Sequence, residues 1–133
     1  MVEITKTFEL ESEILDTDHR RLVEMVNEIV AMIDSGEIEN CKGKVLEFVK
    51  FTKSHFGREE QLLAKIGYPN VDKHRKHHKQ LDRKMEHMLE FAGMVAANEL
   101  ARESLKKELV FFVMDDVITT DLDFKTFIAG KQV

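Results

Sequence analysis

The sequence predicts an all-α fold: an up-down-up-down antiparallel four-helix bundle with an extended N-terminal arm and a short C-terminal helix. Two observations predict it. The 133-residue chain has one proline and six glycines, too few for the many turns of an all-β fold. Four stretches place apolar residues three or four positions apart, and short breaks separate them, which makes neighbouring helices antiparallel. The length is that of one domain, so residues 1–133 are predicted to form a single unit.

The elements follow in order along the chain. Residues 1–16 lack a helical period and are predicted to form the arm. The first helix is expected to be capped by Asp16 or Thr17 and to end near Ser35, before Gly36. The later helices are expected at about 40–66, 70–92 (with Asn70 as cap) and 100–119, and a short amphipathic helix is expected at 124–128.

Composition excludes several classes of protein. The chain carries 20 basic and 25 acidic residues, a net charge of -5, which argues against nucleic-acid binding. Its longest apolar runs are far shorter than the ~20 residues of a membrane-spanning helix, and the N-terminus lacks the basic start and apolar block of a secretory signal. The single cysteine, Cys41, cannot form an internal disulfide. We therefore expect no membrane partner and a cytoplasmic location.

All four predicted helices carry ionisable side chains on the apolar stripe that a bundle buries. In antiparallel topology these positions share one end of the bundle. Two pairs, His55 with Glu59 and His74 with His78, are four residues apart and project from one helical face. A buried carboxylate or imidazole without a partner costs several kcal/mol. The ionisable stripe members are His19, His55, Glu59, His74, His78 and Asp116; Asp121, five residues further on, lies off the stripe but within reach.

These seven side chains are predicted to bind metal. Seven ligands exceed one tetrahedral zinc site, and a single cysteine excludes thiolate sites. Imidazole with carboxylate suits iron, manganese or zinc, and carboxylates can bridge two ions, so the set indicates a di-metal centre. Each motif alone has an ordinary explanation, since an HxxxH pair is more often a surface pair. The coincidence on four stripes carries the prediction, whereas His77 and His87 fall off the stripes and are predicted to lie on the surface.

Four segments resemble the hemerythrins, specifically the bacterial single-domain kind, and the resemblance extends from about Phe8 to Ile128. The segments are LDTDHRRLVEMVN at 15–27, HFGREEQLLAKIGYP at 55–69, HRKHH at 74–78 and DVITTD at 116–121. The resemblance implies two non-haem iron ions with an oxo or hydroxo bridge. It would place His74, His78 and residue 116 on one iron, His19 and His55 on the other, and Glu59 and Asp121 between them. Dioxygen, the implied partner, would bind end-on at the iron with two histidines.

The chain departs from the family pattern at three positions. Phe112 and Phe8 stand where tryptophan is common, which keeps the pocket apolar. Asp116 stands where the family has histidine. Asp116 could ligate in place of the imidazole, it could be too short and leave an open position, or the metal at that side could be bound weakly or lost.

Ligation by Asp116 would change the charge of the centre. Two ferrous ions with four neutral imidazoles, three carboxylates and a hydroxo bridge sum to zero, whereas the usual five-histidine site carries one positive charge. A buried extra negative charge favours the ferric state, so autoxidation would be easier. On this hypothesis Asp116→His slows autoxidation, and an unchanged or faster rate would contradict it.

The leading functional prediction is a dioxygen-binding protein for carriage, storage or sensing rather than an enzyme. A stand-alone carrier or buffer is simplest, because no sensor domain is recognisable. We expect a monomer or a weak homo-oligomer. The alternatives are a di-iron oxidase or peroxidase that acts on dioxygen, peroxide or nitric oxide, and a metal storage protein without oxygen chemistry.

Overall fold

Four long helices and a short C-terminal helix make up the fold. The structure, a computed structural model, describes residues 2–130; Met1 and residues 131–133 of the predicted domain lie outside the described residues. Residues 2–130 contain helices and turns but no strand, so the all-α prediction is confirmed. The helices are α1 (Glu13–Ser35), α2 (Cys41–Lys65), α3 (Val71–Met94), α4 (Glu99–Phe111) and α5 (Lys125–Ala129), with 3-10 turns at Lys6–Phe8 and Leu122–Phe124.

The long helices pack in chain order. α1 contacts α2, α2 contacts α3, α3 contacts α4, and α4 returns to α1, which closes the bundle. The connections between these helices are only four to five residues long, as expected for antiparallel neighbours. None of the helices in residues 2–130 is long and apolar enough to span a membrane.

The start of α1 differs from the prediction. The helix begins at Glu13, capped by Ser12, whose hydroxyl accepts a hydrogen bond from the Leu15 amide at 3.5 Å. Asp16 lies within the first turns and instead accepts from the Leu10 amide at 2.8 Å. The predicted caps were therefore wrong, because the carboxylate of Asp16 ties the arm to the helix. The predicted end was right, and Gly36 adopts the left-handed φ of 83°.

The fourth helix changes its winding. It continues past α4 as predicted, but residues Phe112–Thr119 form a π-helical segment. Within it the Thr119 hydroxyl donates to the Met114 carbonyl at 2.7 Å. The wider turn moves the buried face, so Val117 is buried while Asp116 is only partly buried and Thr119 is exposed.

Two apolar clusters flank one level of the bundle. The larger cluster includes Leu22, Phe56, Leu81 and Ile118. The smaller contains Leu10, Leu15, Leu63, Phe124 and Ile128 and closes one end. Along each helix, the ionisable stripe residues lie between a member of one cluster and a member of the other. The fold thus isolates that level from bulk water.

Candidate metal centre

Four imidazoles and two carboxylates meet at the isolated level of the bundle. All six side chains are buried, with relative exposures of 0–7%. They are His19 from α1, His55 and Glu59 from α2, His74 and His78 from α3, and Asp121 after the π-helical segment. Six of the seven predicted side chains are therefore brought together.

The six residues form two overlapping groups of four, each able to surround a metal ion. One group is His19, His55, Glu59 and Asp121, and the other is Glu59, His74, His78 and Asp121. In each group the potential ligand atoms lie within 4.8 Å of one another. Because Glu59 and Asp121 belong to both groups, these two carboxylates could be shared by two metal ions.

At the α1 end, the two histidines face one carboxylate oxygen. His19 Nε2 lies 2.8 Å from Asp121 Oδ2, and His55 Nε2 lies 3.5 Å from the same oxygen. His55 Nε2 also lies 3.0 Å from Glu59 Oε2. The rings of His19 and His55 meet edge to face with centroids 4.9 Å apart.

At the α3 end, the other oxygens of the same carboxylates are used. His74 Nε2 contacts Glu59 Oε1 closely and lies 3.1 Å from Asp121 Oδ1. His78 Nε2 lies 3.1 Å from Glu59 Oε1. Each carboxylate therefore directs one oxygen to each pair of histidines.

Three buried polar atoms at the centre have no hydrogen-bond partner. They are His19 Nδ1, His55 Nε2 and Glu59 Oε2. An unsatisfied buried polar group costs about 1–3 kcal/mol, so native proteins seldom retain several at one place. The last two atoms point at each other across 3.0 Å without a hydrogen bond. A metal ion between these two atoms would satisfy both. The side chains present therefore fit a bound metal ion.

Carboxylates outside the six hold two of the imidazoles from behind. Asp18 Oδ2 lies 3.0 Å from His55 Nδ1, and Arg58 fixes Asp18 through two hydrogen bonds of 2.8 and 2.9 Å. Glu60 Oε2 lies 2.8 Å from His78 Nδ1. Such a contact sets the tautomer so that Nε2 faces the metal, and it makes the imidazole a better ligand.

In the metal-free protein, the buried carboxylates favour protonated histidines. Protons then supply positive charge that metal ions would otherwise bring. Burial disfavours the charged form of His74, but hydrogen bonds to Asp121 and Glu59 outweigh it and raise the pKa to about 10. Burial likewise opposes charge on His55, but the nearby carboxylates of Asp121, Asp18 and Glu59 outweigh it and raise its pKa well above the ordinary value. Burial would raise the pKa of Asp121, but contacts with Glu59 and three histidines lower it well below 3.8.

Comparison with known proteins identifies the family. The model of the hemerythrin HHE cation-binding domain matches residues 10–118. The chain belongs to the hemerythrin family. It is 33% identical to a bacteriohemerythrin of Stenotrophomonas maltophilia and 32% identical to one of Pseudomonas aeruginosa, each over 90 residues, or 66% of this chain. A Clostridium acetobutylicum bacteriohemerythrin is 28% identical over 83 residues, 59% of this chain and 64% of its own. The first two matches span 59% of each relative's length.

In this chain the seventh predicted ligand lies outside the cluster. Asp116 belongs to neither group of four, and its Oδ2 lies 2.7 Å from Lys84 Nζ. The sequence interpretation placed Asp116 on the stripe and Asp121 off it, because it assumed an unbroken α-helical period. The π-helical turn reverses the two, so Asp121 is 1% exposed at the centre. The charge argument for easier autoxidation requires ligation by Asp116, which this arrangement does not provide.

Two further histidines were assigned to the surface. His87 is exposed, as predicted. His77 is partly buried, and its Nε2 lies 2.9 Å from the Asp116 carbonyl oxygen, to which it can donate, so the prediction of a solvent-exposed residue was wrong. His77 therefore faces the fourth helix and lies beside Asp116, the residue that stands where the family has histidine.

Sequence reasoning missed Asp18, Arg58 and Glu60. Asp18 and Glu60 directly adjoin the predicted ligands His19 and Glu59, and Arg58 precedes Glu59. The signal that could have found them is that a metal-binding imidazole generally needs a carboxylate or carbonyl on its other nitrogen. Adjacent residues point about 100° apart on a helix, so each carboxylate reaches a histidine of a neighbouring helix instead of its own neighbour in sequence.

Proposed function

We propose that residues 1–133 form a single hemerythrin-like domain that holds two iron ions and reversibly binds dioxygen. One observation carries the proposal: two groups of buried ligand atoms share Glu59 and Asp121, so the same two carboxylates serve both ions. Iron accepts mixed imidazole and carboxylate ligands, as this set supplies. Iron would supply the electrons for dioxygen binding, and the family membership supports this choice of metal and ligand.

In this proposal His19 and His55 would hold one iron, His74 and His78 would hold the other, and Glu59 and Asp121 would be shared between them, with the oxo or hydroxo bridge that the resemblance implies. The protein residues would orient the imidazoles and exclude bulk water. Asp18 and Glu60 perform the orientation, and the two apolar clusters exclude water. As the resemblance to the family implies, dioxygen would bind at the His19/His55 end.

The test is metal content with an optical spectrum on protein purified anaerobically and then exposed to air. Two irons per chain, with a visible charge-transfer band that appears with oxygen and vanishes on deoxygenation, would support an oxygen binder. One metal or none per chain would overturn the di-iron centre. Two irons that pass directly to the ferric form would overturn reversible carriage.

A di-iron oxidase or peroxidase is the second candidate. It is favoured by a cavity of about 420 Å³ between α3 and α4, lined in part by Met88, Phe112 and Asp116. Such a cavity offers room for a small second substrate. Repeated consumption of oxygen or peroxide with a supplied reductant would favour the enzyme, whereas a stable adduct without turnover would favour the carrier. A protein that binds iron and does neither would be a metal store.

A further inference from the structure

A groove on the outer side of α2 and α3 reaches one of the six candidate ligands. The groove has a volume of about 450 Å³, and its walls include His78, Phe56 and Gly57. The Phe56 ring stacks on the His78 ring, with centroids 3.8 Å apart and planes 9° from parallel. An added Cβ at Gly57 meets nothing within 4 Å, so this wall leaves room. The edge of the buried cluster therefore forms part of a surface groove.

Three lysines line this groove and are exposed to solvent. They are Lys53 from α2 and Lys76 and Lys79 from α3. Within residues 2–130 their side chains form neither an ion pair nor a hydrogen bond. Lys73 and Arg83 are exposed and unpaired over the same residues, and they lie three before Lys76 and four after Lys79. Positions at these spacings are neighbours on a helix, so the positive charge continues along the outer face of α3.

The carboxylates that line the groove are mostly paired. Asp72 Oδ1 lies 2.8 Å from Arg75 Nη1, and Glu60 Oε1 lies 3.5 Å from Arg75 Nε. Glu60 Oε2 also faces His78 Nδ1 at 2.8 Å. Asp82 is the other carboxylate among the lining residues. The groove and its two flanking residues thus hold six basic and three acidic side chains, although the whole chain has a net charge of -5.

We propose that this groove is the docking face for an acidic electron-transfer protein, which delivers electrons to the metal centre through His78. The inference rests on the proposed di-iron centre. Each encounter moves one electron from the reduced partner to one Fe³⁺, which becomes Fe²⁺ while the partner is oxidised. Two encounters return the diferric centre to the diferrous form that binds oxygen. No covalent bond forms between the two proteins.

The chemistry of the groove suits a partner that binds briefly and through charge. Electron-transfer complexes bury little surface, and opposite charges guide their encounter, so salt weakens them. The lysines supply the guiding charge, whereas Phe56 is only 5% exposed and offers no apolar anchor for a tight interface. An electron that arrives at the groove meets His78, which belongs to one of the two groups of four. The path to the metals therefore crosses a single imidazole.

The probe for docking is a two-iron ferredoxin of the plant type, a small acidic protein that carries one electron. Zinc-loaded protein exchanges no electrons, so calorimetric titration at low ionic strength measures binding alone. We expect binding that weakens as salt is added. Lys76→Glu combined with Lys79→Glu should weaken it by about tenfold. Lys42→Glu combined with Lys107→Glu is the control, because it changes the net charge equally at exposed positions outside the groove, and it should bind almost as the wild type does.

The same two double variants test electron delivery once two irons per chain have been counted. Stopped-flow mixing of reduced ferredoxin with the diferric protein follows oxidation of the ferredoxin. The rate should fall about tenfold when Lys76 and Lys79 are reversed and should stay near the wild-type rate in the control. Reduction by dithionite should be equal in the two double variants, since they carry the same net charge.

Three outcomes overturn the inference. Equal ferredoxin affinity in the two double variants means that the groove is not the docking face. A loss of affinity with an unchanged rate of electron transfer means that electrons enter elsewhere. Lysine-dependent binding to phosphatidylserine vesicles, with no binding of ferredoxin, assigns the face to a membrane surface. All three leave the di-iron centre standing, whereas fewer than two irons per chain overturns the centre and the electron delivery that rests on it.

Discussion

At the residue scale, the carboxylates behind the imidazoles separate this cluster from a chance meeting of histidines. Asp18 makes two kinds of contact. Its carboxylate lies 3.0 Å from His55 Nδ1, and it accepts two hydrogen bonds from Arg58. Burial raises the pKa of Asp18, but His55 and Arg58 outweigh it, and the net pKa is lowered. Asp18 therefore stays ionised at neutral pH, as a group that orients a metal ligand requires.

Replacement of Asp18 by asparagine removes that charge at nearly constant volume. We expect Asp18→Asn to weaken metal binding by about 10–100-fold, because His55 loses the partner that fixes its tautomer. Competition with a chromophoric chelator for Zn²⁺ measures the change. Asp34→Asn is the matched control, since Asp34 lies on the same helix in an exposed ion pair with Lys106 at 2.7 Å. Equal zinc affinity in both variants would show that Asp18 does not support the site.

At the element scale, regular winding made most of the structure predictable. Wherever the α-helical period holds, the ionisable stripe residues of α1, α2 and α3 are buried as expected: His19, His55, Glu59, His74 and His78. The prediction failed where the period changes, in the π-helical segment, since one wider turn moves every later residue to a new face. Two threonines mark the segment, because Thr119 and Thr120 donate to carbonyls five residues earlier at 2.7 and 3.2 Å. The sequence alone does not show that these two hydroxyls bond five residues back, so it did not predict the π-helical segment.

Glycines within helices offer a second comparison at this scale. An added Cβ at Gly57 in α2 meets nothing within 4 Å, although the residue follows the predicted ligand His55 by two positions. Gly57→Ala should therefore stabilise the metal-free protein by about 0.5–1 kcal/mol, since alanine loses less conformational entropy in a helix. Gly36 has a φ of 83°, so Gly36→Ala should destabilise it despite equally open space. Urea unfolding of both variants gives the two free energies, and a loss of stability in Gly57→Ala would contradict the open geometry.

At the scale of the whole molecule, the interior of the metal-free bundle holds protons that a metal ion must displace. In the metal-free protein His74 has a pKa of about 10 and therefore holds a proton at neutral pH. A metal binds only the neutral imidazole, so uptake must release protons. We expect the apparent Zn²⁺ affinity to rise at least tenfold per pH unit between pH 6.5 and 8. Titration in a weakly buffered solution with a pH indicator measures the release, and the absence of released protons would show that the imidazoles are already neutral.

The same proton links metal content to the stability of the whole fold. In the metal-free protein His74 has a folded-state pKa of about 10 against 6.5 unfolded. Because the folded value is the higher, the contribution is complete below about pH 6.5 and is lost as the pH rises toward 10. The free energy of unfolding should fall by up to about 1.4 kcal/mol per pH unit across that window. Zinc-loaded protein should lack this alkaline loss, because metal then occupies the nitrogen that held the proton.

Urea midpoints at pH 6, 8 and 10, with and without Zn²⁺, measure the difference. His74→Gln removes one titrating group and should reduce the alkaline loss of the metal-free protein, although His55 still contributes, whereas His87→Gln, at an exposed position on the same helix, should leave it unchanged. The stability from Asp121 runs the opposite way, since its lowered pKa means that its contribution is lost only as the pH falls below 3.8. Alkaline loss in both the metal-free and the zinc-loaded protein would place its origin outside the cluster. Loss confined to the metal-free protein would show that protons and metal ions compete for the same buried nitrogen atoms.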